Sequence, residues 1–129
     1  GLCPLVKPSA GQRARIAAAA AVRPTRRFAI PLNEPDFFTD DPHWQAFIDA
    51  DPHGLRRASA RFLFGSFALD VYLRRALKRL TVPTLLLLAG REKVIDNAKT
   101  LARAAEFGTR DVTVKQYPDA AHTLEFEPE

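Results

Sequence analysis

The sequence predicts an α/β chain, with a mainly helical region over residues 1–80 and a βαβ unit of a parallel sheet over residues 81–129. Three observations carry that expectation. Thr84 to Leu88 is a short, unbroken apolar run behind Pro83, as expected for a strand buried on both faces of a parallel sheet. One helix length later, Asp111 to Tyr117 alternates Val112, Val114 and Gln116 against Thr113 and Lys115, which reads as a second strand. Upstream of both, apolar residues recur at helical spacing between arginines and lysines.

Each element has its own signal. Ser9-Ala-Gly-Gln12 has capping-box spacing and predicts a helix from Ala10 to Val22. Between Arg23 and Asp40 the turn formers Pro24, Pro31, Asn33 and Pro35 predict an irregular connector carrying Phe37 and Phe38. Two Asp-Pro-His openings follow, at Asp41 and Asp51; proline at the first helical position behind an aspartate is a start signal. They predict a short helix, Pro42 to Ala50, bearing Trp44, Phe47 and Ile48, and a long one from Pro52 to Leu80. In the long one Phe62, Leu63, Phe67, Leu69, Val71, Leu73 and Leu77 supply the apolar positions. After the first strand Gly90 marks a turn, Asn97 to Phe107 reads as a helix, and Gly108 is placed to end it. Two strands are too few for a free-standing parallel sheet, so its remaining strands are expected from elsewhere, and the chain alone is expected to aggregate or order only in part.

Composition sets limits. The net charge of +4 comes from arginine runs such as Arg23 to Arg27 and Arg74 to Arg79, which read as solvated faces. No Gly-rich phosphate loop, zinc spacing or aromatic RNA-binding motif accompanies them, so no nucleic-acid partner, metal or organic cofactor is expected. Cys3 stands alone, which excludes an internal disulfide and leans toward a reducing, cytoplasmic setting. Ile16 to Val22 is too short to span a bilayer, and the start lacks the pattern of a signal peptide. With no methionine even at position 1, and an ending in mid-phrase at Glu129, the chain reads as cut at both ends.

Chemistry in open α/β sheets gathers beyond the carboxyl ends of the strands. Glu92 lies two residues past Gly90, and His122 lies in the loop after the second strand. Adjacent parallel strands would set those loops side by side, within reach of an imidazole–carboxylate hydrogen bond. Such a carboxylate fixes the imidazole tautomer and stabilises the imidazolium formed when the histidine takes a proton from a nucleophile. His43 and His53 sit beside Asp-Pro at helix starts with no ligand partner at i+4, and read as structural.

The phrase Leu85-Leu-Leu-Leu-Ala-Gly-Arg-Glu-Lys-Val-Ile-Asp-Asn97, with Tyr117-Pro-Asp-Ala-Ala-His-Thr-Leu-Glu-Phe-Glu127, resembles the C-terminal half of α/β-hydrolases of the monoacylglycerol lipase/lysophospholipase and serine aminopeptidase-like group. The resemblance covers residues 81–127. It implies that residues 1–80 hold the end of a core strand plus a helical cap or lid, and that residues 81–129 are the core segment with the acid and histidine. It further implies that Glu92 stands where the family usually has its triad aspartate, with Asp96, also a residue of the family phrase, as the alternative acid and His122 as general base. Glutamate is one methylene longer, and Asp119 occupies a turn position where the family often has glycine.

The nucleophile is not in these residues. The family's Gly-x-Ser-x-Gly elbow is absent: Ser9, Ser59 and Ser66 each lack a glycine two residues before them. Cys3, ahead of Pro4 at the end of an expected strand, lacks an activating context. The expectation is therefore a serine-hydrolase segment that cleaves carboxylic esters of the monoacylglycerol or lysophospholipid kind only when joined to a missing N-terminal half. The resemblance makes Phe37, Phe38, Trp44, Phe47, Phe62, Phe64 and Phe67 candidates for an acyl tunnel or peripheral membrane contact, although packing accounts for most of them. The alternative class is a basic, non-catalytic module for anionic lipid or nucleic acid.

Overall fold

The computed structural model describes residues 4, 7–30 and 34–127. Cys3 lies outside those residues, as do the turn signals Pro31 and Asn33. Of the strand end expected at Cys3–Pro4, the described part is Pro4, which bridges Ile95 in antiparallel fashion.

Helix α1 spans Ala10–Val22, and its start is the capping box that the spacing predicts. Ser9 Oγ accepts from Gln12 N at 3.2 Å while Gln12 Oε1 accepts from Ser9 N at 2.7 Å. Ile16 and Ala19 face inward, and the helix packs on a later one, α3 (Ala60–Ala76). Between them the connector is more ordered than expected. It contains a strand, β1 (Arg27–Ala29), and a 3-10 turn at Pro35–Phe37. Strand β1 pairs antiparallel with β2 (Arg57–Ser59), with Phe28 opposite the buried Ala58. Three-residue strands flanked by arginine leave no periodicity to read.

The two Asp-Pro-His openings have different outcomes. Asp41 caps α2 (Pro42–Ala50), accepting from His43 N at 2.8 Å. Asp51 makes the same bond to His53 N, but Gly54 N then closes a turn onto Asp51 O and no helix follows. The long helix predicted from Pro52 instead starts at Ala60, capped by Ser59 Oγ at 3.2 Å from Phe62 N. A cap followed by glycine three residues later competes poorly with a serine cap that opens on Ala-Arg-Phe-Leu. Helix α3 ends in a 3-10 turn at Leu77–Arg79.

Strands β3 (Thr84–Ala89) and β4 (Val112–Tyr117) are parallel, registered from Thr84↔Val112 to Ala89↔Tyr117, with α4 (Asn97–Ala104) crossing between them. Leu88 and Ala89 are buried, whereas Leu85 is 61% exposed and Leu87 44%. The run predicted to be covered on both faces is thus covered at its carboxyl end and open nearer its start, because a two-stranded ladder has neighbours on few sides. Gly108 follows α4 where a Cβ would stand 2.1 Å from Lys78 O, so only glycine lets the two helix ends approach. Asp70 of α3 adds a polar link, accepting from Arg103 of α4 at 3.0 Å and from Arg74 at 2.7 Å.

Gly90 is equally tight, since a Cβ there would lie 2.1 Å from Pro118 O. Gly90→Ala is expected to cost about 1–3 kcal/mol or more, read by denaturant unfolding, because backbone must shift. Burial raises the Asp70 pKa, but its bonds to Arg103 and Arg74 outweigh this and hold it below the usual carboxylate range. Its stabilisation is therefore present above about pH 4 and lost as pH falls through the lowered value. Asp70→Asn is expected to melt a few degrees below the parent at pH 7, with the gap closing in acid; a gap that persists there would exclude the ion pair as its source.

Candidate active site

Because β3 and β4 are parallel and in register, both chains leave the sheet at one level, and main-chain bonds lace the two exits together. Gly90 N donates to Tyr117 O at 2.7 Å and Arg91 N to Ala120 O at 2.9 Å. Asn97, at the start of α4, donates through Nδ2 to Ala89 O at 2.7 Å and ties the helix to the strand end. Between these ties the chain turns over Glu92.

Glu92 folds back on its own loop. Its Oε1 accepts from Val94 N at 2.7 Å and Ile95 N at 3.1 Å, and 8% of its side chain is exposed. The same carboxylate meets His122 Nδ1 at 2.9 Å through Oε1 and 2.8 Å through Oε2. Two main-chain donors fix the carboxylate before the imidazole reaches it, so the histidine finds an oriented acceptor. Bonds to a charged carboxylate are roughly twice as strong as neutral ones. Where Nδ1 donates to Glu92, Nε2 is left as the acceptor, and no hydrogen bond to Nε2 is found among the described residues. That is the tautomer a general base needs.

Asp96 is occupied otherwise. It caps α4, Oδ1 accepting from Lys99 N at 3.0 Å while Oδ2 pairs with the Lys99 ammonium. The Lys99 side-chain bond, then the main-chain bond from Lys99, hold its pKa below the usual range. Of the three sequence-predicted site residues, His122 and Glu92 meet, and Asp96 meets neither.

Several neighbours of the pair were not foreseen. The Phe38 and His122 rings pack in a T-shaped arrangement, with centroids 5.9 Å apart and planes at 64°. Thr123 N donates to Phe38 O at 2.9 Å. Arg91 pairs with Asp40 and donates to Asp119 O at 3.3 Å; Lys93 reaches Asp36 O at 2.8 Å and Asp40 Oδ1 at 3.4 Å. Beyond the histidine, Ala121 N donates to Glu127 Oε1 at 3.0 Å, and Phe126 stacks on Trp44 at 4.4 Å. The connector prolines gave no hint that residues 36–40 would return to this loop.

The serines are engaged in helices. Ser9 and Ser59 are caps, and the Ser66 hydroxyl donates to Phe62 O at 2.9 Å within α3. Among the described residues no non-glycine residue has positive φ, so none of these serines sits on a strained elbow of that kind. His43, in the first turn of α2, and His53 have their main-chain N–H groups bonded to Asp41 and Asp51.

Residues 2–129 match the family model described as serine aminopeptidase, S33. The chain belongs to this family of α/β-hydrolases. Among solved structures, a monoacylglycerol lipase from Paleococcus ferrophilus superposes with a TM-score of 0.84 at 18% identity, over 98% of this chain and 49% of that one. A soluble variant of the Saccharomyces cerevisiae monoglyceride lipase, in complex with a substrate analog, gives 0.69 at 17% identity, over 88% and 41%. A search of curated proteins finds no match. The S33 family member thus has the fold of the C-terminal portion of an α/β-hydrolase, a helical region followed by a βαβ unit, and spans about half the length of those structures.

Replacing each carboxylate separates their roles. Glu92→Ala is expected to release His122 and shift its ring-nitrogen resonances, whereas Asp96→Ala should lower the melting temperature through α4 and leave them in place. Movement of the His122 signals in Asp96→Ala but not in Glu92→Ala would reverse the assignment.

Proposed function

We propose that this chain supplies the general base and the orienting acid of a serine hydrolase that cleaves carboxylic esters of the monoacylglycerol or lysophospholipid kind. The observation that carries the reading is the 2.8 Å contact between His122 Nδ1 and Glu92 at the carboxyl ends of two adjacent parallel strands. Family membership supports hydrolysis as the reaction class, and the two lipases of like fold favour a lipid ester as substrate. In this scheme a serine Oγ–H gives its proton to Nε2 as Oγ attacks the ester carbonyl. Collapse of the tetrahedral intermediate breaks the C–O bond, and Nε2–H protonates the departing alcohol. Water then repeats both steps on the acyl-enzyme, releasing the fatty acid and restoring the serine. Glu92 stabilises the imidazolium in each half-reaction. Asp96 serves the helix rather than the base.

The serine and the oxyanion donors belong, in this reading, to an N-terminal half of the fold that completes the sheet beside Leu85, Leu87 and Val114, all exposed here. Residues 1–80 then include the cap over the acyl site, with a surface available for peripheral membrane contact. No metal or organic cofactor enters the scheme.

The test pairs this chain with a segment carrying Gly-x-Ser-x-Gly, such as the N-terminal half of the Paleococcus ferrophilus lipase, and follows hydrolysis of a monoacylglycerol and a p-nitrophenyl ester. The chain alone is expected to give no turnover. Once complemented, His122→Ala should lower kcat by about 10⁴-fold or more and Glu92→Gln by about 10³–10⁴-fold. Retention of full activity by His122→Ala would overturn the catalytic reading, and turnover by the chain alone, lost in His122→Ala, would overturn the need for a second half.

A further inference from the structure

A hydrogen bond at Nδ1 fixes one point of an imidazole and leaves its rotation about χ2 soft. For Nε2 to face a nucleophile, the ring plane must also be held, and Glu92 alone does not hold it. The segment Asp36–Asp40 meets that need from the opposite side. Phe38 contributes both a ring packed T-shaped with the imidazole and a carbonyl that accepts from Thr123 N at 2.9 Å, one residue past the histidine. A single residue therefore grips the ring and the main chain of the same loop.

The grip is itself anchored. Thr39 is fully buried; its Oγ1 accepts from Asp41 N at 3.2 Å and its carbonyl from Gln45 Nε2 at 2.9 Å. On either side Asp36 and Asp40 take the charges of Arg91 and Lys93. Those two cations flank Glu92 in sequence, and each would otherwise be a rival for its carboxylate. Drawn to the strap, they leave Glu92 to His122.

We propose that Asp36–Asp40 is a positioning strap for His122, in which Phe38 sets the plane of the imidazole and Asp40 holds Arg91 and Lys93 away from Glu92. This deepens the reading of His122 as base and rests on it. The function belongs to the joint between helical region and sheet, so a displacement of the helical region would be felt at the base.

The experiment is nitrogen NMR of the full chain labelled with ¹⁵N-histidine, at a pH where the imidazoles are neutral, with His122 identified by His122→Gln. In the parent, His122 is expected in the Nδ1–H tautomer. Phe38→Ala and Asp40→Asn should each move its two nitrogen signals a large fraction of the way toward the tautomer mixture of free imidazole, leaving His43 and His53 in place. Phe38→Tyr, which retains the ring, should restore the parent spectrum, a rescue that loose packing alone would not require. If Phe38→Ala fails to fold, Asp40→Asn decides, since it leaves Phe38 untouched. Unchanged His122 signals in the strap variants, with a shift in Glu92→Gln, would overturn the strap while sparing the acid–base pair. Signals unmoved even by Glu92→Gln would overturn the pair and the strap together.

Discussion

The parallel register of β3 and β4 is the constraint on which the site depends. Six consecutive pairs, Thr84↔Val112 through Ala89↔Tyr117, bring both strands to an end at the same height. A slip of one residue would turn every side chain to the opposite face and displace the loops relative to each other by more than 3 Å. The contact between Gly90 and Pro118 then holds the exits together so closely that no side chain fits between them. Everything at the pair follows: a carboxylate from one exit and an imidazole from the other, each on a loop stitched to its neighbour by main-chain bonds.

Charge is divided around that pair with little waste. Five ionic groups stand in a short stretch, Arg91, Glu92, Lys93, Asp96 and Lys99, and a naive pairing by proximity in sequence would set Glu92 against its own neighbours. The structure pairs them otherwise. Lys99 takes Asp96, the strap aspartates take Arg91 and Lys93, and Glu92 is left with two main-chain amides and a histidine. An exposed ion pair contributes little to stability, about 0–1 kcal/mol, so the consequence lies in which groups remain available for chemistry.

The sequence made legible what short-range rules govern. The capping box at Ser9 and Gln12, the aspartate cap at Asp41, the apolar run of β3 and the alternation of β4 all rest on interactions within a few residues, and those elements stand where their signals lie. Glu92 and His122 were legible as a pair of positions because strand–helix–strand spacing limits where the exits can be, and the structure places their side chains in contact. Their catalytic roles remain a proposal. What could not be read was set by distant partners or by competition. Phe28 and Ala58 form a sheet with no periodicity to announce it; Gly54 stopped a helix that Pro52 had invited; and Phe38 approaches His122 from 84 positions away, a distance at which no local pattern carries information.

That separation has a bearing on the order in which the molecule assembles. The βαβ unit joins strands offset by 28 residues in register, whereas the strap's bonds to the acid loop close chain segments of 51 to 57 residues. Longer loops cost more entropy to close, and their contacts reward the chain later. On that ground Glu92 and His122 are expected to come within bonding distance before the strap closes on them. Under the proposed roles, an imidazole held only by its acid in a half-formed chain is a base without a fixed aim. The proposed strap would couple its final orientation to the most distant contacts, so that competence would wait until the helical region has docked.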